Sequence, residues 1–181
     1  MLKRAFNPTF ILISALLYAI TFGINSLLMS SLTFSLGVNW IFLPAGLRLL
    51  LTLLFGLSGA IGISLASTLI AINFYFQHDL LSGLGAGLLG GIAPYCARLF
   101  VFRNMDLTSN LETLDGNKLL NCIFIYSLMS PIFHQTWFFV RGINGDFIEH
   151  VGVMFIGDLV GTLIIIYLAK LTIRLIKNRK K

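Results

Sequence analysis

The stretch from Ala5 to Ala97 begins AFNPTFILISALLYAITFGINSLLM and contains only two charged residues, Arg48 and Asp79. A soluble domain must cover its surface with polar groups, so a stretch of this length with so little charge is not a soluble core. A membrane-spanning helix needs about 20 apolar residues to cross the hydrocarbon layer. The stretch therefore predicts several consecutive transmembrane helices, and we expect the chain to be an integral membrane protein in contact with the lipid bilayer.

The composition of the whole chain agrees with this prediction. The 181 residues are 57% hydrophobic and 11% charged, against about 25% charged in an ordinary soluble domain. This leaves room for a single all-α membrane domain over residues 1–181. The net charge of +6 does not predict nucleic-acid binding, because the basic residues cluster directly after an apolar run, where the positive-inside rule and anionic headgroups favour them. These residues are Lys170, Arg174, Lys177, Arg179, Lys180 and Lys181.

Charge determines the number of spans. Two groups of basic residues, one before the first apolar run and one around the polar loop after residue 101, are both expected on the cytoplasmic side. An even number of crossings then separates them. The span near residues 81–101 supplies one, so the region before it must supply an odd number. One crossing is too few for the mostly apolar residues 10–76, so three crossings are expected there. We therefore predict a multi-pass bundle of about six spans with both termini cytoplasmic. The spans lie near residues 10–29, 44–57, 58–76, 81–101, 119–140 and 151–171.

This arrangement places every Lys and Arg on the cytoplasmic side except Arg48 and Arg141. Such an asymmetry is what the positive-inside rule predicts for a multi-pass membrane protein. The second span is short, and a tilted or partly re-entrant segment is the alternative.

Glycines on the fourth span indicate close helix packing. Gly83, Gly87 and Gly91 are four residues apart and share one helical face, which lets another backbone approach closely when lipid offers no hydrophobic drive. We interpret this stripe as packing within the bundle. A dimer interface or a groove that faces a ligand is the alternative.

Two charges are predicted inside apolar spans, where an ionised side chain costs several kcal/mol unless it is paired or hydrated. Arg48 lies near the outer end of the second span and Asp158 about two turns inside the sixth, so their depths match. We expect them to form an ion pair, and the alternative is that Arg48 extends outward to water. His134, beside Gln135 in the fifth span, is the best candidate for lining a ligand cavity.

Enzyme chemistry has no support in the sequence. All three histidines, His78, His134 and His150, map to the outer side, which makes a metal sensor conceivable. We favour loop positions at the headgroup level for His78 and His150, and we predict no metal site and no cofactor. Phosphate-binding loops, zinc-protease motifs and nucleophile triads are not recognisable, so the protein is predicted not to be an enzyme.

Two segments resemble a known family. Residues 39–47 read NWIFLPAGL and lead, after Arg48, into LLLTLLFG, and residues 155–161 read FIGDLVG. These are similar to elements of the MASE1 membrane sensor domain, in which a Trp and a Pro-Ser/Ala-Gly step precede an apolar helix and a Gly-Asp-x-x-Gly element follows later. The positions that carry the resemblance are Trp40, Pro44, Gly46, Gly157, Asp158 and Gly161.

The resemblance implies a sensory or regulatory module in the inner, cytoplasmic membrane of a bacterium, which binds an unknown small molecule in the outer half of the bundle. MASE1 domains are longer and usually precede a kinase or a cyclic-di-GMP enzyme, so a stand-alone relative implies a separate protein partner in the membrane or the cytoplasm. The alternative is a substrate-binding subunit of an energy-coupling-factor transporter, which also has six spans and basic cytoplasmic ends. A membrane scaffold that acts through helix contacts alone is the third possibility.

Overall fold

The structure is a computed structural model that describes residues 6–105, 111, 113–143 and 145–179. In this part of the chain six α-helices account for most residues. Helices α1 and α2 each have a proline in the first turn, α1 is capped by the Asn7 side chain, and Asp79 and Asp115 cap α4 and α5. The capping side chains accept hydrogen bonds from free N–H groups at the helix starts, and a proline in the first turn lacks an N–H that would otherwise have no partner. The helices are α1 (Pro8–Leu28), α2 (Leu43–Phe55), α3 (Leu57–Ile70), α4 (Leu80–Asn104), α5 (Gly116–Val140) and α6 (Phe147–Arg179).

A small β-hairpin between α1 and α2 adds to the predicted all-α fold. Strand β1 (Thr33–Ser35) pairs antiparallel with β2 (Val38–Asn39). The turn between them contains Gly37 at φ 73°, a left-handed conformation that glycine adopts without strain. Val38 is fully buried against Val153 and Met154 of α6, so the hairpin is anchored to the bundle.

The helices alternate in direction. Contacts between neighbouring helices show these directions. Tyr18 of α1 hydrogen-bonds to Ser67 of α3, and Thr68 of α3 lies against Gly87 of α4. Helices α1, α3 and α5 run towards the hairpin, and α2, α4 and α6 run away from it. We call the end of the bundle that carries residues 30–42 the hairpin end. The first and last described residues of the chain lie towards the opposite end.

When α3 is counted together with its π-helical continuation to Tyr75, five helices in the described part of the chain are long and apolar enough to cross a membrane, which indicates a multi-pass membrane protein. The exception is α2, whose 13 residues extend about 20 Å, less than the roughly 30 Å of a hydrocarbon core. Helix α6 extends beyond its predicted end near residue 171, to Arg179.

Glycines allow α4 to lie directly on α3. A Cβ atom on Gly83 would meet Ile72, one on Gly87 would meet the backbone of Thr68, and one on Gly91 would meet the carbonyl of Ala60. The glycine stripe therefore faces a neighbouring helix inside the bundle. Beyond Ile70, α3 continues as a π-helical segment, Ala71–Tyr75, and such segments often occur at functional sites.

Candidate functional site

A cavity of about 50 Å³ lies at the hairpin end of the bundle, where all six helices and the hairpin converge. Helix α1 contributes Tyr18, α2 contributes Arg48 and α5 contributes His134, while Gly37 comes from the hairpin turn. Ala71 and Tyr75, at the two ends of the π-helical segment, also line it. A concave, mostly apolar site with a few polar groups is the usual form of a small-molecule site.

Arg48 is the cation at the base of this cavity, and its side chain is 5% exposed. Its Nη2 atom donates to the Tyr18 hydroxyl at 2.6 Å and to the Ser67 hydroxyl at 3.3 Å. The guanidinium lies 5.1 Å from the ring centre of Tyr18 and 5.2 Å from that of Phe42, which adds cation–π attraction. Its Nε and Nη1 atoms are buried without a hydrogen-bond partner.

Asp158 is completely buried in α6, close enough to Arg48 for their opposite charges to attract. The predicted direct ion pair between them is nevertheless wrong, because neither carboxylate oxygen of Asp158 has a hydrogen-bond partner. The cause is the orientation of Arg48, whose guanidinium is held by Tyr18 and Ser67 on α1 and α3. The alternative, extension of Arg48 to water, is also wrong, because the side chain is buried.

Hydroxyl groups surround Asp158 without completing its hydrogen bonds. Ser130 on α5 lies near both the Asp158 carboxylate and the Tyr126 hydroxyl, but meets hydrogen-bond geometry with neither. Thr162, one turn after Asp158 on the same helix, also has a buried hydroxyl without a partner. Buried polar groups are nearly always hydrogen-bonded in native proteins. Such a concentration of unmet groups therefore indicates a place where water or a ligand belongs.

His134 lines the cavity, and its Nδ1 donates to the Ser130 carbonyl oxygen at 2.8 Å. Gln135, predicted beside it, faces a neighbouring small pocket that His150 also lines, and its amide nitrogen contacts the Met154 sulfur at 3.6 Å. His78 lies in the loop before α4. The predicted loop position of His150 is wrong, because His150 lies near the start of α6. Within the described residues, no three His, Cys, Asp or Glu side chains form a metal-binding group.

The two segments that resemble MASE1 meet in space. A Cβ atom on Gly157 would meet the Asn39 carbonyl, and one on Gly161 would meet the Phe42 carbonyl. The Phe42 N–H also donates to the Gly157 carbonyl oxygen at 3.1 Å. These contacts hold the segment before α2 against α6.

The remaining motif positions surround this interface. Gly46 lies against Thr162 and Ile165 of α6, and Pro44 is in the first turn of α2. Trp40 is 42% exposed and packs edge-to-face on Phe34 of the hairpin. Asp158 is thus the motif residue that brings charge into the buried region.

A second pair of opposite charges lies at the hairpin end, between α4 and α5. Arg141 Nη2 is 3.1 Å from Asp79 Oδ1, and the two side chains are 30% and 40% exposed. Ser82 donates to Asp79 from its backbone N–H and its hydroxyl. These hydrogen bonds and, to a lesser extent, the attraction of Arg141 hold the pKa of Asp79 below its ordinary value.

Sequence reasoning missed most of the cavity lining. Tyr18 and Ser67, the partners of Arg48, lie within apolar spans with no charge beside them. One signal in the sequence could have found these partners. Their hydroxyl side chains lie in neighbouring spans, within one or two helical turns of the depth predicted for Arg48. The aromatic lining could not be separated from ordinary aromatic residues of a membrane protein. Apart from Tyr18, it consists of Phe22, Phe42, Tyr75, Phe76 and Phe138.

Comparisons with protein-family models, with curated proteins and with solved structures found no match to this chain.

Proposed function

We propose that the protein is a sensory or regulatory module of the MASE1 type in a bacterial inner membrane, which binds a small molecule and signals to a separate protein partner. The observation that carries this proposal is the cavity at the hairpin end, lined by residues of all six helices. A ligand bound there contacts every helix at once, so its binding can change how the helices pack. Helix shifts of this kind are a common route for transmitting a signal.

The contact between the two MASE1-like segments supports this assignment. Residues 39–47 and 155–161 are more than a hundred positions apart, yet Asn39 and Phe42 lie directly on Gly157 and Gly161. The cavity adjoins this interface through Phe42 and Met154. In the proposed orientation the hairpin end faces outward, and the opposite end, with the basic residues of α6, faces the partner.

A substrate-binding subunit of an energy-coupling-factor-like transporter is the second candidate. The hairpin favours it, because its Gly37 lines the cavity and a short cover over the site suits a protein that captures a ligand from outside. In that case the partner is an ATPase module rather than a kinase or cyclase.

Purification in mild detergent, followed by mass spectrometry of proteins and small molecules, tests both candidates. We expect a bound small molecule in the native protein and its loss in Ala86→Leu, which places a larger side chain into the cavity. Leu88→Met is the matched control, because Leu88 is on the same helix and 49% exposed.

The co-purifying proteins separate the two candidates. A kinase or cyclase supports the sensor, and ATPase subunits support the transporter subunit. If the native protein retains no small molecule and no partner, both candidates are wrong.

A further inference from the structure

We propose that the cavity binds a small zwitterion with a carboxylate at one end and a methylated ammonium group at the other. This inference rests on the proposed function, since it names the chemical class of the small molecule that the cavity accepts. Three properties of the site carry it: the charge balance, the unmet donors of Arg48 and the aromatic walls.

Charge balance favours a ligand without net charge. Arg48 and Asp158 are buried together and carry opposite charges, so they balance each other. A ligand with a net charge would leave an unbalanced charge in a medium of low dielectric constant, which is costly. A zwitterion keeps the buried region neutral and still supplies groups of both signs.

Arg48 provides the position for the carboxylate. Its Nε and Nη1 atoms are buried donors without an acceptor, while Nη2 is held by Tyr18 and Ser67. Guanidinium groups recognise carboxylates through charge-assisted hydrogen bonds. The contacts of Nη2 fix the guanidinium in place at the wall of the cavity, so the cation is already positioned before a ligand arrives.

The remaining walls of the cavity suit a cation that has no N–H donors. Phe22 packs edge-to-face on Tyr75 at 6.0 Å, and Phe76 packs on Phe138 at 5.7 Å. No Asp or Glu of the described residues lines the cavity, so a primary ammonium would lack strong acceptors there. Methylated ammonium groups need no acceptor and are bound by the faces of aromatic rings.

The size of the cavity agrees with a compact ligand. Since a buried water needs at least about 10–15 Å³ on this scale, a volume of about 50 Å³ has room for roughly four waters. Only a compact solute suits a space of this size. Glycine betaine, the trimethylated form of glycine, is the smallest common molecule with both required groups, and we choose it as the probe.

Equilibrium binding of radiolabelled glycine betaine to the purified full-length protein tests the proposal. Three unlabelled competitors each lack one property. They are 3,3-dimethylbutanoate, which has the same shape without the positive charge; choline, which lacks the carboxylate; and glycine, which lacks the methyl groups. We expect saturable binding of glycine betaine, and competition by each of the three at least about tenfold weaker than by unlabelled glycine betaine.

Substitution of one aromatic ring locates the site without removing a buried charge. Phe138→Leu keeps an apolar side chain but removes a ring face from the cavity, so we expect the affinity to fall about 2- to 30-fold, the range of one cation–π contact. Phe139→Leu is the matched control, because Phe139 is next to it but 72% exposed, and its affinity should stay unchanged. Equal losses in both variants would place the binding elsewhere and overturn the proposal.

The competitors distinguish the ways in which the proposal can fail. Equal competition by 3,3-dimethylbutanoate would indicate a site for apolar anions, and equal competition by choline would indicate a site for cations. Equal competition by glycine would show that the methyl groups are irrelevant. If glycine betaine does not bind, the ligand class is wrong. The proposed function then stands if purification still yields another bound molecule or a partner protein, and it is also wrong if purification yields neither.

Discussion

The two pairs of opposite charges in this protein differ in how far their hydrogen bonds are completed. Arg141 and Asp79 touch at the hairpin end, are 30% and 40% exposed, and are joined by Ser82. Arg48 and Asp158 are buried and do not touch, and each keeps unmet hydrogen-bonding atoms. The partly exposed pair is complete without any further molecule and fastens α4 to α5. The buried pair is incomplete, which is the property expected of a binding site.

The largest effect should come from removing one buried charge. Asp158→Asn leaves Arg48 buried without its balancing charge, and the loss of one partner of a buried pair costs about 3–5 kcal/mol. Replacing both residues by apolar ones, Arg48→Met with Asp158→Leu, should cost less, because no unbalanced charge remains. Thermal unfolding in detergent measures both. The matched control is Asp79→Asn, the same change in the partly exposed pair, where the loss should be much smaller.

The double variant decides whether the two buried charges depend on each other. If Asp158→Asn and the double variant lose equal stability, the two charges contribute to stability independently. Their mutual balance is then not what stabilises the buried region. If Asp79→Asn loses as much as Asp158→Asn, burial does not explain the difference between the pairs.

A smaller effect should follow when the buried pair keeps its charges but its surroundings shift. Gly157→Ala places a methyl group against the Asn39 carbonyl, next to Asp158, and overpacking of this kind typically costs about 1–3 kcal/mol. Gly152→Ala is the control on the same helix, because a Cβ there meets nothing within 4 Å. It should be neutral or stabilising by up to about 1 kcal/mol. Thermal unfolding of the two variants checks this, and equal stability would mean that the hairpin can move away from α6 freely.

The sequence allowed a good prediction of the helices but not of the contacts between them. Long apolar runs and the distribution of basic residues are local signals, and six helices lie where six spans were predicted. The hairpin was missed because its strands have three and two residues, too few to show alternation; the glycine at Gly37 was its only local signal.

The candidate site was predictable in its charges and not in its geometry. Arg48 and Asp158 stand out in any apolar sequence because buried charge is rare. Their separation depends on Tyr18 and Ser67, which hold the guanidinium from two other helices. Such contacts arise from the tertiary arrangement, which no local pattern in the sequence encodes.

The smallest expected effect is the pH dependence of the partly exposed pair. The pKa of Asp79 is lowered in the folded protein, first by the hydrogen bonds from Ser82 and then by Arg141. A carboxyl group with a lowered folded pKa stabilises the protein fully above its unfolded pKa of about 3.9, and this contribution is lost as the pH falls through the folded pKa. We expect the native protein to lose stability relative to Asp79→Asn as the pH is lowered from about 5 to 3. Thermal unfolding across that range measures the difference between the two proteins. A stability difference that stays constant with pH would show that the Ser82 and Arg141 contacts do not act on the charged form of Asp79. The contrast between the complete and the incomplete pair would then rest on burial alone.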